Sequence, residues 1–178
     1  MNFVTSIKNL VGQKSRYKNL KGFTLVELII YMGILVMLLT VLTTIFTQAV
    51  DTQLESQASS SVEQDGRYII SKLLYDINRA SSITSPALGV TSSSLQIVIS
   101  GVTYTYASSS GNLVLTNNNG ANNLNGFDTT LSQLSFQIVG NSGGKNTITV
   151  QFRLTTQTIR PRCGQEVRAF TNTAGMRY

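Results

Sequence analysis

From Phe23 to Val50 the chain carries a single charged residue, Glu27, in a run dominated by Leu, Ile, Val and Met. A helix of roughly 20 apolar residues crosses the hydrocarbon of a bilayer, and this run is longer. It also exceeds the apolar core of an ordinary secretory signal, which spans about 7 to 15 residues. A helix of a soluble core is rarely apolar on every side over such a length. The basic residues that precede the run, Lys8, Lys14, Arg16, Lys18 and Lys21, have no acid among them. Positive charge stays on the cytoplasmic side. The expected topology is therefore a single pass through the cytoplasmic (inner) membrane, with the N-terminus inside and everything after residue 50 outside.

The same five basic residues account for most of the net charge of +6. A chain beginning at Phe23 would hold nine basic residues against eight acidic ones. The high isoelectric point thus belongs to the leader and carries no general argument for nucleic-acid binding. Cys163 is the one cysteine, so no intramolecular disulfide forms, and the exported part must be held by packing. The chain has neither His nor Trp, which removes the usual general base at neutral pH and the commonest zinc ligand. The expectation is a protein that is not an enzyme, with no catalytic, cofactor or metal residues.

Glu27 is the anomaly of the apolar run. At mid-bilayer a carboxylate costs on the order of 2.5 to 3.5 kcal/mol, and less near the headgroups. Either it sits close enough to the interface to stay hydrated, or something pairs with it. The flanking residues, Lys21-Gly22-Phe23-Thr24-Leu25-Val26-Glu27-Leu28, resemble the processing motif of type IV pilins and type II secretion pseudopilins. In that family a membrane peptidase cuts after the glycine and methylates the new terminus. The resemblance implies cleavage between Gly22 and Phe23 and N-methylation at Phe23. It also implies an assembly role for Glu27, whose carboxylate would pair with the terminal amine of a neighbouring subunit and set its register. A polar residue inside a helix bundle can serve as such a registration device, and an unpaired charge there would be severely penalised.

Beyond residue 50 the apolar positions thin to one face, with Leu54, Ala58, Val62, Ile69, Leu73 and Ile77 at helical spacing. Glu63 with Arg67 and Lys72 with Asp76 lie four residues apart and read as a solvated opposite face. The helix is expected to run unbroken from about Phe23 to Ser82 and to stop before Pro86, with Asp65-Gly66 as a local weak point. From Leu95 the period changes to two, through Leu95-Ile97-Ile99, Val102-Tyr104-Tyr106, Leu113-Leu115, Leu134-Phe136-Ile138 and Ile148-Val150-Phe152-Leu154. These are half-buried strands. Turns at Ser100-Gly101, Ser108 to Gly111 and Gly140 to Gly144 point to an antiparallel meander covered by the amphipathic helix. The expected fold is α+β, a long N-terminal helix whose membrane-spanning first half is followed by a half packed on a small antiparallel sheet. Within the resemblance this is the pilin fold. The domains are a leader over 1–22 that is removed, a membrane and filament-core helix over 23–50, an amphipathic helix over 51–83 and an exported β domain over 84–178. The Asn-rich segment Asn117 to Gly126 reads as an exposed loop; calcium binding there would need carboxylates, and Asp128 alone is near. The Ser runs have no base to activate them.

The stretch Asp65 to Ser82, with its Asp76-Ile77-Asn78-Arg79-Ala80 end, resembles minor pilins and J-type pseudopilins, which favours an accessory subunit of a pilus or pseudopilus. The partners the family implies are other pilin or pseudopilin subunits, the prepilin peptidase, the assembly platform and its ATPase, and membrane lipid before assembly in a cell-surface or periplasm-spanning filament. Residues 129–178 hold six basic side chains and one acidic, the reverse of 23–128. Arg153, Arg160, Arg162, Arg168 and Arg177 are therefore candidates to meet the acidic helix of a neighbour or to contact DNA, against the simpler reading, which is favoured, that they serve solubility. The competing reading is a membrane-anchored extracellular adhesin or binding domain that keeps its leader and never enters a filament.

Overall fold

The structure is a computed structural model that describes residues 22–140, 146–161 and 163–177. The basic leader up to Lys21, most of the Gly140 to Gly144 turn and Arg162 lie outside the described residues. Two compact units divide between Phe46 and Thr47.

A single helix, α1 (Leu25–Arg79), runs through the division. It starts where Thr24 supplies a cap: the Glu27 backbone N–H donates to Thr24 Oγ1 at 3.2 Å and the Leu28 N–H to the Thr24 carbonyl at 3.2 Å. A threonine hydroxyl in this position satisfies an otherwise orphaned donor of the first turn. No proline interrupts the helix. It ends at Arg79, three residues before the expected Ser82. The physical reason is a competing acceptor: the Ser81 N–H donates at 2.8 Å to the Val98 carbonyl in the sheet, not back into the helix.

In the first unit every side chain from Leu25 to Phe46 is exposed except Glu27, which is half-buried. The hydroxyls of Thr40, Thr43 and Thr44 donate to the carbonyls of Val36, Leu39 and Thr40 at 2.8, 2.8 and 2.9 Å. The helix thereby satisfies its own polar side chains, as hydrocarbon requires.

In the second unit α1 buries Ala58, Val62, Gly66, Ile69, Leu73, Asp76 and Ile77. Among the described residues nine strands follow: β1 (Ser82–Ser85), β2 (Thr91–Ser92), β3 (Ser94–Ile99), β4 (Val102–Ser109), β5 (Asn112–Asn117), β6 (Gly120–Asn123), β7 (Thr129–Val139), β8 (Thr147–Arg160) and β9 (Gly164–Gly175). All pairings are antiparallel. The strands form two sheets, in the orders β1-β3-β4-β5-β6 and β2-β7-β8-β9, where alternation alone gives one meander. Both sheets and the helix enclose one core, including Leu95, Ile97, Tyr106, Leu113, Phe136, Ile148 and Leu154. This is a pilin-like α+β architecture. Turns form at Ser100-Gly101, as expected, and at Ser110-Gly111, the end of the expected Ser108 to Gly111; both residues of each have positive φ (52° and 80°, 49° and 77°), the geometry that closes two-residue hairpins. In β7 a bulge between Ser132 and Ser135, with Gln133 at φ 52°, adds a residue to the strand. Leu131 and Leu134, three apart, therefore both face the core.

Two readings of the helix surface change. Asp76 is not on a solvated face: it is buried, accepts a hydrogen bond from the Tyr106 hydroxyl of β4 and lies 3.0 Å from Lys72 Nζ. Burial, and then the hydrogen bond to Asp76, hold the Tyr106 phenol far above its ordinary range. Nor is Asp65-Gly66 a weak point. The Asp65 carboxylate accepts from the Gly126 N–H at 2.8 Å and from the Thr129 hydroxyl, which ties the loop before β7 to the helix. At Gly66 the ring of Phe170 comes so close that an added Cβ would lie 2.1 Å from its Cζ, and that ring stacks on Phe152 at 5.3 Å between centroids. Only a residue without a side chain allows this approach.

The Asn-rich segment is likewise more ordered than an exposed loop. Residues 120–123 pair with β5, and Asn125 is buried. Its Oδ1 accepts from the Leu113 N–H at 2.9 Å while its Nδ2 donates to the Thr129 carbonyl at 2.8 Å, so one amide joins the two sheets.

Two substitutions test this packing in the full chain held in detergent, read by thermal or denaturant unfolding. Gly66→Val should destabilise by about 1 to 3 kcal/mol through overpacking, more than the roughly 0.5 kcal/mol it gains in helix propensity. Tyr106→Phe, which leaves the buried Asp76 without its hydroxyl donor, should cost about 1.5 to 3 kcal/mol. An unchanged midpoint for either variant would show that the contact is not a docking point.

Candidate functional site

The residues singled out at the head of the helix lie within one turn and a half. Gly22, Phe23 and Thr24 are exposed and non-helical, and the first helical residue is Leu25. The Gly22–Phe23 peptide bond thus sits just outside the cap formed by Thr24, in backbone not committed to helical hydrogen bonds. A protease must bind its substrate extended, and this bond is available without unwinding α1. Nothing lies within 4 Å of where a Cβ on Gly22 would be. The chain itself therefore does not demand glycine there, and any such demand must come from what binds it.

Glu27 stands at the third helical position, where a negative charge is favoured by the unsatisfied N–H groups of the first turn. Thr24 and Glu27 have the spacing of a capping box, whose acidic side chain would fold back to the cap N–H. Here it points the other way: Tyr31, one turn further on, donates its hydroxyl to Glu27 Oε1 at 3.0 Å. The Tyr31 ring also meets the Phe23 ring edge-on, with centroids 6.2 Å apart and planes at 79°. Sequence reasoning passed over Tyr31. The signal was present, since a phenol four residues after a carboxylate shares its helix face.

The arginines are only partly available for an intermolecular role. Arg168 of β9 pairs with Glu63 and donates to Ser59 Oγ at 3.2 Å, both on α1, and to Glu166 at 3.2 Å. Arg160 pairs with Glu166 at 2.7 Å, and Arg67 with Glu63 at 2.7 Å. Hydrogen bonding, first from Arg67 and then from Arg168, holds the Glu63 carboxyl below the usual carboxylate range. Arg160 and Arg168 thus bind acids of their own chain, where the charge imbalance alone pointed to a neighbour's. Cys163, a free thiol, is exposed at the turn between β8 and β9.

Residues 17–43 match the family model of the prokaryotic N-terminal methylation motif, the signal of type IV pilins and pseudopilins. The matched span includes Gly22, Phe23, Glu27 and Tyr31. No curated protein and no solved structure matches the chain.

Proposed function

We propose that this chain, which carries the pilin-type methylation motif on a pilin-like architecture, is a structural subunit of a type IV pilus or related pseudopilus, and a minor one. The observation that carries the reading is the head of the helix. The Gly22–Phe23 bond lies in non-helical backbone outside the Thr24 cap, and Glu27 is the one charged residue of the outward-facing span from Leu25 to Phe46. A long apolar helix with this motif fits a membrane-anchored protein.

In this reading the prepilin peptidase cuts between Gly22 and Phe23 and methylates Phe23. The subunit waits in the inner membrane with its N-terminus in and its C-terminus out. It then enters the filament under the assembly platform and ATPase, exchanging lipid contacts for helix contacts with little change in apolar burial. Glu27 pairs with the Phe23 amine of a neighbouring subunit. The role is structural, not catalytic. Support for a minor role is the resemblance of Asp65 to Ser82 to minor pilins and J-type pseudopilins.

Glu27→Ala should be cleaved like the wild type yet co-sediment with sheared filaments at least tenfold less, since truncating one partner of a buried charge pair costs about 2 to 5 kcal/mol. Gly22→Leu should accumulate as uncleaved precursor in the membrane. Wild-type incorporation of Glu27→Ala would remove the pairing role. If Gly22→Leu is processed normally, the proposed cut site is wrong.

A further inference from the structure

A carboxylate in the apolar helix needs a partner before any neighbouring amine arrives, because the subunit is stored in lipid before it is assembled. Among the described residues the one side chain bonded to the Glu27 carboxylate is Tyr31, through its hydroxyl and Oε1 at 3.0 Å. Oε2 has no protein donor there. An ionised carboxylate has room for about four hydrogen bonds, so the phenol occupies part of that capacity and leaves the rest open. The same Tyr31 touches the other half of the proposed pairing, since its ring packs edge-on against Phe23, the residue that cleavage would make N-terminal. Such edge-to-face contacts have a preferred geometry and restrict how the Phe23 ring can turn.

We propose that Tyr31 is a positioning residue for assembly: its hydroxyl holds the Glu27 carboxylate in one rotamer in the membrane-stored subunit, with Oε2 free for an incoming ammonium, while its ring steadies Phe23. The proposal rests on the subunit reading above, with Glu27 as the assembly carboxylate. The hydroxyl and the ring have separable tasks. Phenylalanine at this position keeps the ring and the contact with Phe23 and loses only the donor.

The test uses the full chain in cells that make filaments, with the mature subunit also placed in lipid nanodiscs. Tyr31→Phe should be cleaved and methylated at the wild-type rate and stored in the membrane at wild-type levels, but should enter filaments roughly three- to tenfold less, as expected for the loss of one hydrogen bond of ordinary net strength at a half-exposed position. In the Glu27→Gln background, adding Tyr31→Phe should lower incorporation no further, because there is no carboxylate left to position. An assembly-independent readout is the 13C shift of the Glu27 carboxyl in nanodiscs, which should move with Tyr31→Phe and stay put with Tyr75→Phe.

Wild-type incorporation of Tyr31→Phe, an equal loss in both backgrounds, or an unmoved carboxyl shift would each overturn the role. The underlying subunit reading fails differently: the wild-type chain would show no peptidase-dependent cleavage, or Glu27→Gln alone would incorporate normally.

Discussion

A carboxylate at the head of a helical span, Leu25 to Phe46, that is otherwise without charge and exposed on every side sets the terms for the whole molecule. In water Glu27 would be unremarkable, but in lipid it must be hydrated, bonded or neutralised. The helix supplies a bond locally. Thr24 closes the first turn, so the carboxylate is not drawn back to cap it, and Tyr31 one turn on supplies a donor. What the chain does not supply among its described residues is a positive charge for Glu27. That unmet demand is what a second subunit would meet in the proposed function, with a terminal amine created by cleavage as an apt partner. The same economy appears in the threonines of the span, whose hydroxyls return to carbonyls of their own helix.

Outside the span, acids on the helix do the opposite work. Glu63, Asp65 and Asp76 each reach a different part of the β structure: Arg168 on β9, the loop entering β7, and Tyr106 on β4. Between them Gly66 admits the Phe170 ring and the apolar stripe from Val62 to Ile77 seals the core. Apolar burial provides most of the attachment. The directed bonds fix which residue of the helix meets which strand, something area alone does not specify. The glycine matters here because it lets the aromatic layer of Phe152 and Phe170 approach the helix backbone.

Much of this was legible in the chain. The unbroken α1, the core stripe and the strands β3, β4, β5, β7 and β8 follow from periods of 3.6 and two, and the Ser-Gly turns from the backbone freedom that glycine brings. What was not legible has physical causes. β9 is largely exposed, so Val167 and Phe170 give no alternation, and β6 is exposed throughout and has no large apolar residue. The two sheets meet at Asn125, whose bonds to Leu113 and Asn112 reach back to a strand twelve and thirteen residues earlier and leave no local pattern. Asp76 looked like half of a surface pair with Lys72 because spacing of four cannot tell a solvated pair from one covered by a distant tyrosine. At the candidate site, Gly22, Phe23 and Glu27 were readable from a short motif, whereas Tyr31 becomes meaningful only once its hydroxyl is seen on the carboxylate.

In the proposed function the helix head is a processed terminus awaiting a neighbour. The intact mass and N-terminal sequence of the protein from cells with and without the prepilin peptidase test this. A chain beginning at N-methylated Phe23 is expected in the first case and the uncut precursor in the second. A chain that still begins at Met1 in both would contradict it and leave a membrane-anchored extracellular domain that is never made into a filament.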